Sequence, residues 1–230
     1  MPKNEEIHQY YNQLASEYDS DRFGNSYGQF IHAQEVNLLS KHIPKSETEI
    51  RILDLGCGTG RLSEFATDGL DFSEKMLEIA QSKHPEKQFH LGSVSETTFE
   101  ENTFDFVFCF HVFMHLSEVE IEKSLAEIHR ILKPNGIFLF DIPSEARRNL
   151  LGKTVEGWHG ATSFSVEKLR NEYQEKWNFL EHEGIMFFPI HTFPKAIRQK
   201  MLKLDSLINR TFLKKWASYN LVKLQNKKAL

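Results

Sequence analysis

The 230-residue chain has little that would suit it to an oxidising compartment or to a bilayer. Its two cysteines, Cys57 and Cys109, sit inside apolar or glycine-rich segments. A disulfide framework is not indicated, and a reducing, cytoplasmic setting is expected. No apolar run nears the ~20 residues that cross a bilayer. The opening Met1-Pro2-Lys3-Asn4-Glu5-Glu6 lacks the apolar stretch of a secretory leader. Internal repeats and low-complexity tracts are missing too. What remains is an ordinary globular composition, 40% hydrophobic and 26% charged, at a length that suits one elaborated domain.

Acidic residues are almost absent from the last stretch. Between Lys195 and Leu230 ten basic residues face one acid, Asp205. That excess of nine positive charges leaves residues 1–194 at −13, given a net charge of −4. Such polarity suits an anionic acceptor, a membrane surface, a nucleic acid, or a basic element packed on its own acidic body.

The chain then alternates strand and helix. Ile7 to Leu39 carries helical spacing in Leu14 and Tyr18, a break at Phe23-Gly24 and Tyr27-Gly28, and a stripe of Phe30, Ala33, Val36 and Leu39. Ile50 to Leu55 predicts a strand running into Gly56. Ser73 is a candidate N-cap for a helix through Met76, Leu77 and Ala80, stopped before Pro85. Phe89–Leu91 predicts a short strand, and Phe104–Phe110 a buried one that is apolar on both faces. Ser117 and Glu120 have capping-box spacing for a helix bearing Ile121, Leu125, Ile128 and Leu132, ended by Lys133-Pro134-Asn135-Gly136. Ile137–Phe140 predicts a strand closing at Asp141. Further on come a helix over 166–177, a strand over Ile185–Ile190, and a basic helix from Lys195 with Ile197, Met201, Leu204 and Ile208 turned inward. A last strand is expected near Tyr219–Leu224. Strands separated by helices of this length imply right-handed crossovers and a mostly parallel sheet covered on both faces.

Residues 53–60 read LDLGCGTG. A strand that passes through Gly56, Gly58 and Gly60 places a tight turn at the carboxyl edge of the sheet, where open α/β sheets bind nucleotides. Glycine there lets a ligand approach the backbone closely. A nicotinamide-dinucleotide fingerprint needs G-x-G-x-x-G and an acid about twenty residues on. Here the third position is Ser63 and Asp71 comes too early.

LDLGCGTG, together with Gly69-Leu70-Asp71-Phe72-Ser73, Phe104-Asp105-Phe106-Val107 and Arg130-Ile131-Leu132-Lys133-Pro134-Asn135-Gly136, resembles the class I S-adenosylmethionine-dependent methyltransferases. The likeness is specific from about Arg51 to Asp141. It is looser over Tyr11 to Glu35, where Tyr18-Asp19 matches the family's N-terminal lid. The resemblance implies a Rossmann-like methyltransferase fold, mostly parallel with an antiparallel last strand. Residues 1–45 would form a helical lid, 50–141 the cofactor-binding core, and 142–230 the substrate side with a basic helical insertion. It implies S-adenosylmethionine as cofactor, held by Asp71 on the ribose, Asp54 toward the glycine turn or the methionine amino group, and Gly56, Cys57 and Gly58 along the turn. Phe72, Met76 and Phe110 would pack on the ligand, and Tyr11, Tyr18 and Arg22 would close over it. Ser93-Val94 occupies the adenine position, where the family usually has an acid. The link from Gly60 to Asp71 is several residues shorter than in most relatives, leaving one or two helical turns.

Methyl transfer from a sulfonium is an in-line displacement, for which positioning supplies much of the rate. An oxygen or nitrogen acceptor also calls for a base, and histidine titrates in the right range. His115, after the fourth strand, and His159, in the loop Glu156-Gly157-Trp158-His159-Gly160, are the candidates. His191 reads as a core or edge residue. His111 and His115 have HxxxH spacing but no third ligand, so no metal is expected. Trp158 and the basic segment suit a small-molecule acceptor such as a sugar or a lipid-linked glycan, and the basic helix suits peripheral membrane contact. The competing readings are an RNA methyltransferase using the basic tail, although no RNA-recognition signature is present, and a non-catalytic binding protein on the same fold.

Overall fold

The computed structural model describes residues 2–152, 162 and 165–229. Three N-terminal helices come first: α1 (Pro2–Leu14), α2 (Tyr18–Phe23) and α3 (Ser26–His42). The strands are β1 (Ile52–Leu55), β2 (Asp68–Asp71), β3 (Gln88–Leu91), β4 (Phe104–Cys109), β5 (Leu132–Pro143), β6 (Trp177–Ile185) and β7 (Tyr219–Asn226). Between them lie α4 (Glu74–Lys83), α5 (Glu118–Ile131), α6 (Glu145–Leu151), α7 (Val166–Tyr173), α8 (Lys195–Arg198) and α9 (Leu202–Ile208). All seven strands form one sheet in the order β3-β2-β1-β4-β5-β7-β6. The pairs from β3 to β5 are parallel; β7 runs antiparallel to both β5 and β6.

Alternation along the central strands sends side chains to two cores. Leu53, Leu55, Val107, Cys109, Phe138 and Phe140 face Ile121, Leu125 and Ile128 of α5. Ile52, Phe106, Phe108 and Leu139 face Phe30, Ile31 and Leu39 of α3. Both faces are covered, so these strands read as nearly continuous apolar runs. Phe138 and Phe140 stack at 4.7 Å between ring centroids.

The local signals act as expected at the helix starts. The Met76 N–H donates to Ser73 Oγ at 3.2 Å. The capping box of α5 is complete, with the Ser117 N–H on Glu120 Oε2 at 2.7 Å and the Glu120 N–H on Ser117 Oγ at 3.3 Å. The link after Gly60 is reduced to one 3₁₀ turn, Ser63–Phe65.

Four expectations need correction. Lys133-Pro134-Asn135-Gly136 does not simply separate helix from strand: β5 already starts at Leu132 and absorbs these residues as an irregularity opposite Phe104 and Phe106, with Asn135 at φ +61°. The strand expected over 185–190 lies upstream, because β6 ends at Ile185 and its partner β7 is exhausted there at Tyr219. The helix expected to reach 177 stops at Tyr173, and Trp177 opens β6 as a fully buried strand residue. In α3 the buried set includes Gln34 and Glu35, whereas Ala33 and Val36 are only partly covered.

Candidate functional site

The strand order reverses between β1 and β4, and the cleft lies at the carboxyl ends of these strands, as doubly wound sheets dictate. β1 runs into a turn whose Gly56 and Cys57 N–H groups both donate to Leu70 O on β2, at 2.7 and 3.0 Å. Gly56 has φ +79°, and a Cβ there would lie 2.3 Å from Val112 Cγ2. Gly58 has φ +53°, but a Cβ there would meet nothing within 4 Å. The first glycine is therefore needed by the fold, whereas the second exposes backbone to the cleft.

Asp71 closes β2. Its Oδ2 accepts the Gly58 N–H at 2.8 Å and its Oδ1 the Ser73 N–H at 2.9 Å, so one carboxylate joins the glycine turn to the start of α4. Burial pushes its pKa up to about 6 against the lowering effect of those backbone donors. Asp54 is buried beneath the turn and accepts from Ser63 Oγ at 2.9 Å; burial raises it to about 7.

The cleft has a volume of about 260 Å³. Its wall includes Tyr11, Tyr18, Gly56, Gly58, Asp71, Phe72, Met76, Ser93, Val94 and Phe110, together with His115. Asp54 and Cys57 do not reach it. Arg22 stays at the surface, with Nη2 on Tyr10 Oη at 2.9 Å. His159 and Trp158 lie outside the described residues. The N-terminal helices are fastened over the cleft by polar contacts: Thr59 Oγ1 donates to Asp19 Oδ1 at 2.6 Å, Lys83 pairs with Asp19, and Ser73 Oγ donates to Asn12 Oδ1 at 2.6 Å.

His111 and His115 diverge. His115 lies 3.1 Å through Nε2 from Tyr11 Oη. His111, at φ +60°, turns to a buried charge cluster that sequence spacing does not announce. Its Nε2 is 2.5 Å from Glu35 Oε1, its Nδ1 is 3.3 Å from Asp141 Oδ2, and its own N–H donates to Asp141 Oδ1 at 2.6 Å. Arg61 Nη2 completes the cluster 2.6 Å from Glu35 Oε2, and the guanidinium lies over the Phe23 ring at 3.8 Å. Burial opposes ionisation of Glu35, but Arg61 and His111 outweigh it and hold its pKa near 2. Burial likewise opposes protonation of His111, yet the Asp141 and Glu35 carboxylates raise its pKa overall. The one sequence clue was an acid, Glu35, within an otherwise core-facing turn of α3.

Residues 53–140 match a family described as a methyltransferase domain. The protein MJ1252 of Methanocaldococcus jannaschii is 27% identical over 93% of this chain and 88% of its own length. A demethylmenaquinone methyltransferase of Leptospira interrogans is 32% identical over 58% of each chain, so this chain spans little more than half of that relative. The crystal structure of a S-adenosylmethionine-dependent methyltransferase from Thermotoga maritima superposes with a TM-score of 0.68 at 18% identity, covering 96% of this chain and all of that one. The stretch that holds the glycine turn and Asp71 thus matches a methyltransferase domain, and the chain as a whole shares the fold of the Thermotoga maritima protein.

The cleft fits S-adenosylmethionine chemically. Asp71 accepts one backbone donor on each oxygen and keeps further lone pairs for a diol. The open space above Gly58 lets a ligand lie on the backbone. Phe72, Met76 and Val94 supply apolar wall where a purine would lie. The cleft reaches this arrangement without an acid at position 93, where Ser93 lines it instead.

Proposed function

We propose that this methyltransferase moves a methyl group to a small-molecule acceptor entering the cleft beside His115. The observation that carries the reading is the carboxylate of Asp71, strung between the Gly58 and Ser73 N–H groups at the edge of an open cleft. Bound there, S-adenosylmethionine supplies an electrophilic methyl group on a sulfonium. Asp71 orients the ribose, Tyr11 and Tyr18 close over the ligand from the N-terminal helices, and Phe72 and Met76 exclude water around the base. His115, in contact with Tyr11, is the candidate general base. His111 is set aside for that role because both its ring nitrogens are engaged by carboxylates. In this reading residues 1–45 act as the lid, 50–141 as the cofactor core and 142–230 as the acceptor side. His159 belongs to the same proposal as a second acceptor-side histidine.

The apolar and aromatic wall formed by Phe110, Val112 and Leu116 favours an acceptor with a ring or apolar body. A relative is named for methylating demethylmenaquinone, which is of that kind. A sugar or lipid-linked glycan rests instead on Trp158 and the basic segment, and ranks second. Calorimetric titration of S-adenosylmethionine is the test, with Asp71→Ala and a nicotinamide dinucleotide as controls. Binding that Asp71→Ala weakens by ~1–3 kcal/mol supports the reading. Absence of S-adenosylmethionine binding to the intact chain overturns it in favour of a non-catalytic role.

A further inference from the structure

The segment from Lys195 to Trp216 departs furthest from its sequence pattern. Helical spacing turns Ile197, Met201, Leu204 and Ile208 inward. In the structure Met201 packs on the α3-side core and Ile208 is half-buried, whereas Ile197 and Leu204 are exposed. The side chains turned fully inward are Asp205 and Asn209, and Asp205 accepts from Gln34 Nε2 at 2.6 Å, Asn209 Nδ2 at 2.6 Å and the Phe188 N–H at 2.9 Å. With Asp205 anchored, α9 presents Leu204 and Leu207 outward, 45% and 65% exposed. One turn later, held by the Arg210 and Thr211 N–H groups on Leu207 O and Ile208 O, Phe212 is 79% exposed. Ser144 Oγ on Lys215 O and Arg147 Nη1 on Trp216 O tie this turn to α6, whose Leu150 and Leu151 are also exposed. A large apolar side chain left in water forgoes the gain of burial, and several in one region mark a binding surface.

Basic residues flank these side chains. Lys200 and Lys203 stand four residues before Leu204 and Leu207 on the outer face, and both are exposed. Neither has an ion-pair partner among the described residues, in contrast to Arg210, which reaches Glu183 at 3.2 Å. Lysines beside protruding Leu and Phe side chains match an anionic interface with an apolar layer beneath it. A second copy of this chain would bring these lysines against their own symmetry mates. An acidic protein would match the lysines but would need a pocket for each protruding side chain. No described helix is long and apolar enough to cross a membrane, so the contact would be peripheral.

We propose that this face docks on an anionic membrane surface, with Lys200 and Lys203 on the headgroups and Leu207 and Phe212 in the acyl boundary. α6 follows directly from the carboxyl end of β5, the sheet edge that also holds the cleft. Docking therefore sets the acceptor side of the molecule next to the bilayer.

Flotation of the full chain with phosphatidylcholine vesicles, with and without phosphatidylglycerol, tests the proposal without any assay of methyl transfer. The chain floats with the anionic vesicles and not with phosphatidylcholine alone. Leu207→Ser with Phe212→Ser weakens that binding roughly tenfold or more, at an unchanged circular dichroism spectrum. Lys200→Glu with Lys203→Glu abolishes it, and Phe212→Trp shifts its emission to the blue on anionic vesicles. No flotation, or flotation indifferent to Leu207 and Phe212, overturns the proposal. So does lysine-dependent binding to polyglutamate without vesicle binding, which would indicate an acidic protein. Self-association that the serine variant disperses, again without vesicle binding, would indicate a second copy.

Discussion

His111 Nε2 stands 2.5 Å from Glu35 Oε1, across 76 residues of sequence. The contact joins α3 to the end of β4, and Asp141 and Arg61 extend it to β5 and the glycine turn. Four elements that surround the cleft thus share one charged cluster. Glu35 is fully buried, so its charge is tolerated only while Arg61 and His111 remain.

Glu35→Gln leaves Arg61 and His111 without their shared carboxylate and should cost about 3 kcal/mol in urea unfolding. Glu35 has its pKa lowered from 4.5 to about 2 on folding, so its contribution is present above pH 4.5 and lost as pH falls toward 2. His111 has its pKa raised above 6.5, so its contribution is full below pH 6.5 and lost as pH rises through the folded value. The gap between wild type and variant should therefore be widest between pH 4.5 and 6.5, and the His111 titration followed by NMR should move down in the variant. A gap that does not vary with pH would refute the cluster's ionisation.

Asp71 titrates near 6 in the free protein. Its ionised form accepts hydroxyl donors, so S-adenosylmethionine should bind fully above that pH and lose affinity below it, by up to about tenfold per pH unit. Binding near pH 6 should release protons, seen as calorimetric heats that change with the buffer's ionisation enthalpy. Asp71→Asn should flatten the profile; an unchanged profile would assign the titration to Asp54 instead.

Gly56 and Gly58 should separate stability from binding. Gly56→Ala meets both a positive φ and Val112 Cγ2 at 2.3 Å, and should lower the melting temperature more than Gly58→Ala. Gly58→Ala meets only the backbone strain of about 1–2 kcal/mol, but its methyl group enters the ligand's space. Adding Val112→Ala should restore part of the stability lost in Gly56→Ala. Equal melting temperatures for the two single variants would contradict the packing at Val112.

Much of the core was legible in the chain because its signals are local. Ser117 and Glu120 three residues apart announce a helix start, and LDLGCGTG followed by Asp71 announces the turn and its acid. β6 was misplaced because Trp177–Ile185 mixes burial classes irregularly, with a register shift between Phe179 and Glu181. Arg22 was expected to close over the cofactor and pair with its carboxylate; in the structure its Nη2 lies on Tyr10 Oη at the surface.

The sequence by itself determined the parallel core, the glycine turn and the carboxylate at its edge, since periodicity and capping act within a few residues. Tertiary structure alone decided that His111 belongs to Glu35 and Asp141 while His115 belongs to Tyr11, because partners 30, 76 and 104 residues away leave no local trace. It also decided which way α9 faces. A buried Asp205 with three donors anchors the helix, and sequence spacing cannot foresee donors supplied by α3 and by the chain beyond β6.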